Sequence, residues 1–250
     1  MIKDTIVFTN RTLKHITRSA DTIITTALMP ICFLLLFVYV FGGAIKASIG
    51  SGTYINYLLP GILLMTVASG VSYTGYRLFE DKQKGMFSRV KSMPIHSASF
   101  LWGHVITTLI ANTISLVIVL GIAFLMGFRT GASLADWLVV LGLLTLFNLT
   151  FTWLMIVPGL MAKTMTGASA LAYPLMFLPF LSSAFVPTET MPAGLRWFAE
   201  HQPITPITDT LRNAFTEQPL GNGAWSAVLW LVILLVIAFI AANRLYKKAA

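Results

Sequence analysis

A chain of 250 residues that is 56% hydrophobic and 10% charged, with mean hydropathy +0.80, is too apolar for a water-soluble domain, in which roughly 25% of residues are charged. A polytopic membrane protein is expected, built from helices rather than a barrel, because the apolar runs are continuous instead of alternating. The formal net charge of +8 implies no nucleic acid partner, since loops kept in the cytoplasm collect Lys and Arg, and the single Cys32 excludes a disulfide framework or a thiolate metal cluster.

Residues 4–20, within an N-terminal segment 1–22, read as an amphipathic helix lying in the membrane interface. Ile2, Ile6, Leu13, Ile16 and Ala20 recur at helical spacing, while Lys3, Arg11, Lys14 and Arg18 take mostly other faces. The stretch lacks the compact apolar core of a cleavable leader. Residues 23–248 read as one transmembrane domain with six spans, at about 23–45, 54–76, 100–127, 134–161, 165–186 and 224–243, each near or above the ~20 residues a bilayer needs. Pro30, Pro158, Pro174 and Pro179 fall in or near spans and predict kinks. Asn112 and Asn148 stand near mid-span, where an amide either bonds a neighbouring helix or lines a substrate path.

Between the second and third spans, residues 77–99 form the longest strongly polar interruption of this apolar region, with Arg77, Lys82, Lys84, Arg89 and Lys91 against Glu80 and Asp81. A basic loop between spans is expected in the cytoplasm, and a short helix held there can transmit force from a soluble partner to the membrane domain. With both chain ends also inside, thirteen of the 17 basic residues are cytoplasmic, leaving Lys46, Arg129, Arg196 and Arg212 outside. The longest external segment, 187–222, is too apolar for a plain loop: Leu195, Trp197, Phe198, Ile204, Ile207, Leu211 and Phe215 lie in it. Pro203 and Pro206 divide it into two short helical pieces, expected to be interfacial or re-entrant on the outer face.

Catalytic chemistry is not legible. The sequence has no GxxxxGK[ST] phosphate loop, no HExxH and no GxSxG, and His15, His96, His104 and His201 lack metal-ligand spacing. The span interiors lack Asp and Glu, with Asp136 near the outer end of the fourth, which counts against an ion-coupled secondary transporter. A non-transporting membrane subunit is the other alternative.

The order of features around 77–103 resembles a known family. Glu80 and Asp81 lead to Gly85, Pro94 follows nine residues later and Gly103 nine residues further. This is similar to the signature of type-2 ABC exporter permeases, in which a Glu-rich segment precedes a Gly, a helix, a Pro and a Gly in the next span. Phe185-Val186-Pro187 with Met191-Pro192, Leu195, Pro203 and Arg212 resembles the outer segment before that family's last span, and FAEHQP at 198–203 is closest to drug-resistance permeases of the daunorubicin type. Gln83 and Lys84 depart from the Glu that often precedes the glycine.

The resemblance implies an all-α permease in a bacterial plasma membrane that exports a hydrophobic drug or lipid-like molecule and contributes to antibiotic resistance. It implies no cofactor in this chain. ATP and Mg would be bound by a separate ABC ATPase, present in two copies, and a second permease chain would complete a homodimer or a pseudo-symmetric heterodimer. ATPase coupling would fall to Glu80, Asp81, Gly85, Met86, Phe87, Arg89, Val90, Met93 and Pro94. Met86, Phe87, Val90 and Met93 give an apolar stripe suited to a groove on that partner, with Arg89 and Lys91 toward an acidic rim.

Overall fold

The computed structural model describes residues 2–18, 20–42, 54–92 and 97–249. All its regular elements are helical among these residues. An amphipathic helix α1 (Ile2–Arg18) leads to α2 (Ala20–Leu35), whose last turn widens into a π-helix (Leu36–Phe41). Three longer helices follow in order: α3 (Tyr54–Gln83), then α5 (Ser97–Leu125) after the short α4 (Met86–Ser92), then α6 (Leu134–Met161). After α6 the chain runs through α7 (Met165–Ser169) and α8 (Ala172–Phe177), which ends in a 3-10 turn (Leu178–Leu181). Beyond it come α9 (Ala193–His201), α10 (Ile204–Phe215) and α11 (Gly221–Ala249).

Among the described residues four helices, α3, α5 from Ser99, α6 and α11, are long and apolar enough to cross a membrane. Two shorter apolar helical stretches, Ala27–Phe41 and Met165–Leu181, occupy the regions of the expected first and fifth spans. Part of the first expected span, residues 43–45, lies outside the described residues. The fifth is not one helix but three pieces, because Pro174 and Pro179 lack the N–H groups a continuous ladder requires. Thr164 starts the first piece by accepting a hydrogen bond from Gly167 N–H at 3.1 Å. The second expected span, 54–76, is the front of a longer helix. Leu78, Glu80, Lys82 and Gln83 favour helix, and no breaker occurs until Gly85. Helix α6 begins at a capping box: Ser133 Oγ accepts from Asp136 N, and Asp136 Oδ2 accepts from Ser133 N at 2.9 Å.

Helix α3 is the axis of the bundle. In its most apolar stretch 78% of residues are buried inside the chain, against 17% in α11, so α11 leaves its apolar surface for lipid or a partner. α2, α5, α6 and α10 surround α3, and α11 packs along α6. Gly75 of α3 and Gly159 of α6 meet directly: a Cβ on Gly159 would lie 2.9 Å from Gly75 O. Helix α1 lies across the start of α5 at Gly103, where a Cβ would come 2.6 Å from Phe8 Cβ. Its buried face is Thr5, Thr9 and Thr12, whereas Ile6 and Val7 are exposed. The helix is therefore mounted by its threonines and Phe8, and turns Ile6 and Val7 away from the bundle.

Candidate functional site

The end of the bundle that carries residues 77–92 is held by a charged junction. Asp81, near the end of α3, accepts from Arg11 Nη2 of α1 at 2.9 Å and lies 3.1 Å from His104 Nε2 of α5. His104 is buried, and Phe100 packs edge-to-face on its ring with centroids 5.0 Å apart. One carboxylate thus joins three helices. Beside it, Lys82 Nζ donates to Leu160 O near the end of α6 at 2.7 Å, which brings a fourth helix to the junction.

Past Gln83 the chain turns at Gly85, whose φ of +70° is left-handed. An added Cβ would meet nothing within 4 Å, so the preference for glycine here comes from the backbone, not from crowding. Glu80 accepts from Lys84 Nζ at 2.6 Å, and its carboxylate raises the lysine's pKa above the ordinary value. In α4, Phe87 and Val90 are buried and Met86 packs beside them. Phe87 makes edge contacts with Phe100 of α5 and Tyr246 of α11, with centroids 5.4 and 5.2 Å apart. Met86, Phe87 and Val90 of the apolar stripe are thus turned into the bundle, because its own helices offer a closer apolar surface. Gln83, Lys84, Ser88 and Arg89 face outward. Met93 and Pro94 lie outside the described residues.

From the junction a polar seam runs along α3 and α5. Thr74 and Thr108 share a hydrogen bond of 2.7 Å. Asn112 Nδ2 reaches Val67 O at 3.4 Å and donates to Asn148 Oδ1 of α6 at 2.8 Å. Asn112 and Asn148 are both buried. In an apolar interior such bonded amides hold helices in register. The residues missed from sequence are Arg11 and His104. His104, Thr108 and Asn112 recur every four residues, a stripe that was visible in the sequence.

A cleft of about 280 Å³ opens beside the seam, between α2, α3 and the α7–α8 stretch. Met29, Ser69, Ser72, Tyr73, Tyr76, Tyr173 and Met176 are among its lining, and no Asp, Glu, Lys or Arg is found there among the described residues. Such a site suits an uncharged or weakly polar molecule with hydrogen-bonding groups.

At the opposite end, Arg212 of α10 donates to Asp209 Oδ1 at 2.7 Å and to Ser183 O at 2.7 Å, and its guanidinium stacks 3.8 Å from the Tyr57 ring centre. Ser183 Oγ donates to the same Asp209 oxygen at 2.6 Å. Phe185 is buried, Pro187 and Met191 flank a 3-10 turn (Thr188–Thr190), and Pro192 and Pro203 directly precede α9 and α10. α10 buries Ile204, Ile207, Leu211 and Phe215, whereas α9 exposes Leu195, Trp197 and Phe198. Among the described residues no group of three or more His, Cys, Asp and Glu side chains could hold a metal.

The sequence matches the family described as ABC-2 type transporter over residues 3–216. The chain belongs to that family. It is therefore a multi-pass membrane subunit of the ABC type, and members of the family are not themselves catalytic. The daunorubicin resistance ABC transporter permease protein DrrB1 of Streptomyces coeruleorubidus is 29% identical over 187 residues, covering 73% of this chain. The chain spans 64% of that relative's length. The probable doxorubicin resistance ABC transporter permease protein DrrC of Mycobacterium tuberculosis is 23% identical over 256 residues, covering 100% of this chain and 90% of the relative. The family match spans the junction, the seam, the cleft and the Arg212 network of this ABC-2 subunit.

Proposed function

We propose that this ABC-2 chain is the permease subunit of an ATP-driven exporter, with six spans, both chain ends and residues 77–99 in the cytoplasm of a bacterium, and 187–222 outside. A separate ABC ATPase in two copies binds ATP and Mg, and a second copy of this chain completes the membrane unit. The substrate is a hydrophobic drug or lipid-like molecule that enters the cleft. Relatives named for daunorubicin and doxorubicin resistance support this class, as does the uncharged, hydroxyl-bearing lining.

The observation that carries the reading is the construction of the 80–92 tip. Its inner face is locked to α1, α5 and α11 through Asp81, Phe87 and Val90, and its outer face of Lys84, Ser88 and Arg89 is polar and exposed. Glu80, Asp81 and Gly85 set the shape of the tip. Phe87 and Val90 relay its movement into the bundle, and Arg89 meets an acidic rim on the ATPase. The α3–α5 seam makes the two helices behind the tip move together. Met93 and Pro94 complete the return to α5 in this proposal.

Purification of the full chain from its native membrane should bring a phosphate-loop ATPase with it. Lys84→Glu/Arg89→Glu changes two exposed side chains and should leave the permease in the membrane, while its stimulation of ATP hydrolysis falls about tenfold or more. Unchanged stimulation in that variant refutes the docking assignment. Cross-links between two permease chains through their spans test the homodimer.

A further inference from the structure

Arg77 continues the face of α3 that lines the cleft. Ser69, Tyr73 and Arg77 follow one another at intervals of four, with Ser72 and Tyr76 beside them, so Arg77 stands at the end of the cleft nearer residues 77–92. Its guanidinium lies 6.0 Å from the centroid of the Tyr73 ring, itself part of the lining. Lys163 comes to the same level from the other wall. There α3 and the chain from α6 into α7 run antiparallel: a Cβ on Gly75 would come 2.4 Å from Ala168 O, and Lys82 Nζ donates to Leu160 O at 2.7 Å. Lys163 falls between these two contacts along the chain and is exposed.

Positive charge is in excess at this mouth. The carboxylates whose fields reach Arg77 are those of Glu80 and Asp81, and both also hold other cations, Lys84 in one case and Arg11 with His104 in the other. Residues 137–188, which supply the opposite wall, contain no Asp or Glu. Inside the cleft an anion would meet no cation among the described lining residues, and Ser69 and Ser72 donate their hydroxyl protons to Thr66 O and Ser69 O at 2.9 and 2.6 Å. Charge and apolar surface are thus separated along one path.

We infer that Arg77 and Lys163 form a cationic rim that selects amphiphiles with an anionic head, held at the mouth while the apolar body enters the cleft. The inference rests on the proposed function of the cleft as the substrate path. Met29 and Tyr173 of the lining are exposed, so an acyl chain already in the leaflet can enter from the side. Its charged head stays at the membrane surface, because moving an ion into the apolar interior is costly. The guanidinium fork suits a phosphate or carboxylate head, which it can hold through two parallel N–H donors, while like charge at the rim disfavours a cationic head.

The test uses the full chain with its ATPase in phosphatidylcholine vesicles. Three probes share one diazirine-bearing acyl chain and differ in the head: lysophosphatidic acid is anionic, monoacylglycerol neutral and acylcholine cationic. Photolabelling of Met29, Tyr173 and Met176 is followed by peptide mass spectrometry against probe mole fraction. The anionic probe should half-saturate the cleft at a mole fraction about tenfold or more below the other two. Arg77→Gln should remove most of this preference without changing the labelling by the neutral probe, and Arg77→Lys, which keeps the charge but not the fork, should retain part of it. Lys247→Gln/Lys248→Gln removes two exposed cations at the same end of the bundle and should keep the full preference. Its loss there, or its full survival in Arg77→Gln, overturns the rim. Equal labelling by the three probes in the parent also overturns the rim but leaves the cleft as the path. Absence of cleft labelling by every probe refutes the path, and the rim with it. Where Arg77→Gln fails to reach the membrane, Lys163→Gln decides: the preference should narrow about threefold, and an unchanged preference overturns the rim.

Discussion

Gly75→Ala adds one methyl where α3 passes close to the backbone of α6 and α7. The new Cβ would lie 2.4 Å from Ala168 O and 3.1 Å from Met155 O. Ordinary carbon–oxygen contact begins near ~3.4 Å, so α3 and α7 must separate by about 1 Å. Ala168 O is a backbone atom and cannot swing aside. Overpacking of this kind costs about 1–3 kcal/mol, while exchanging glycine for alanine inside a helix returns up to about 1 kcal/mol. Gly121 supplies the control. It also lies within a long helix, α5, and its added Cβ meets nothing within 4 Å, so Gly121→Ala keeps only the favourable contribution. With a net cost of about 1–2 kcal/mol and roughly 2–4 °C per kcal/mol for a chain of this size, Gly75→Ala should lower the thermal denaturation midpoint in detergent by about 2–8 °C. Gly121→Ala should leave it unchanged or raise it slightly. A midpoint for Gly75→Ala at or above that of Gly121→Ala would show that the crossing is not as close as described. The consequence reaches the cleft, because Ser169 and Ala172 beyond Ala168 form one wall and Ser72, Tyr73 and Tyr76 around Gly75 the other.

Asp81→Asn should destabilise the protein by about 1–3 kcal/mol, mostly because buried His104 loses its anionic partner, while partly exposed Arg11 finds water. A double-mutant cycle of Asp81→Asn with His104→Gln checks this through a coupling energy, and strict additivity would exclude the His104–Asp81 contact. Asn112→Leu and Asn148→Leu should each be more harmful than their combination, since either single change strands a buried amide. The bond itself should contribute only about 0.6–1.7 kcal/mol between membrane helices. Arg212→Lys keeps the charge but loses the fork that reaches Asp209 and Ser183 and the stacking on Tyr57. It should lower stability by about 1–3 kcal/mol and make the 187–222 segment more sensitive to limited proteolysis, whereas unchanged cleavage would disconnect Arg212 from the placement of α10.

The sequence by itself determined the class of this protein and much of its plan. Continuous apolar runs cannot be anything but helices where the solvent is lipid, so α3, α5, α6 and α11 were legible from composition and length. Gly85 marked the turn after α3, because a glycine between two helix-forming stretches signals a left-handed stop. The family likeness carried by Glu80, Asp81, Gly85, Pro94 and Gly103 was legible for the same reason, as each is a local backbone or charge requirement at a fixed spacing. Only the tertiary structure decided which partner each side chain meets. Phe87 and Val90 read from sequence as a docking stripe, and the structure buries them in the bundle, since periodicity shows that a face is apolar but not what covers it. Arg11, Asp81 and His104 are far apart in the chain and carry no shared motif, and their junction exists because α1 crosses α5 at Gly103 beside the end of α3. The break of the fifth expected span into pieces likewise depended on neighbours. Prolines remove hydrogen bonds locally, but whether a helix bends and continues or comes apart depends on what the freed carbonyls and side chains find around them.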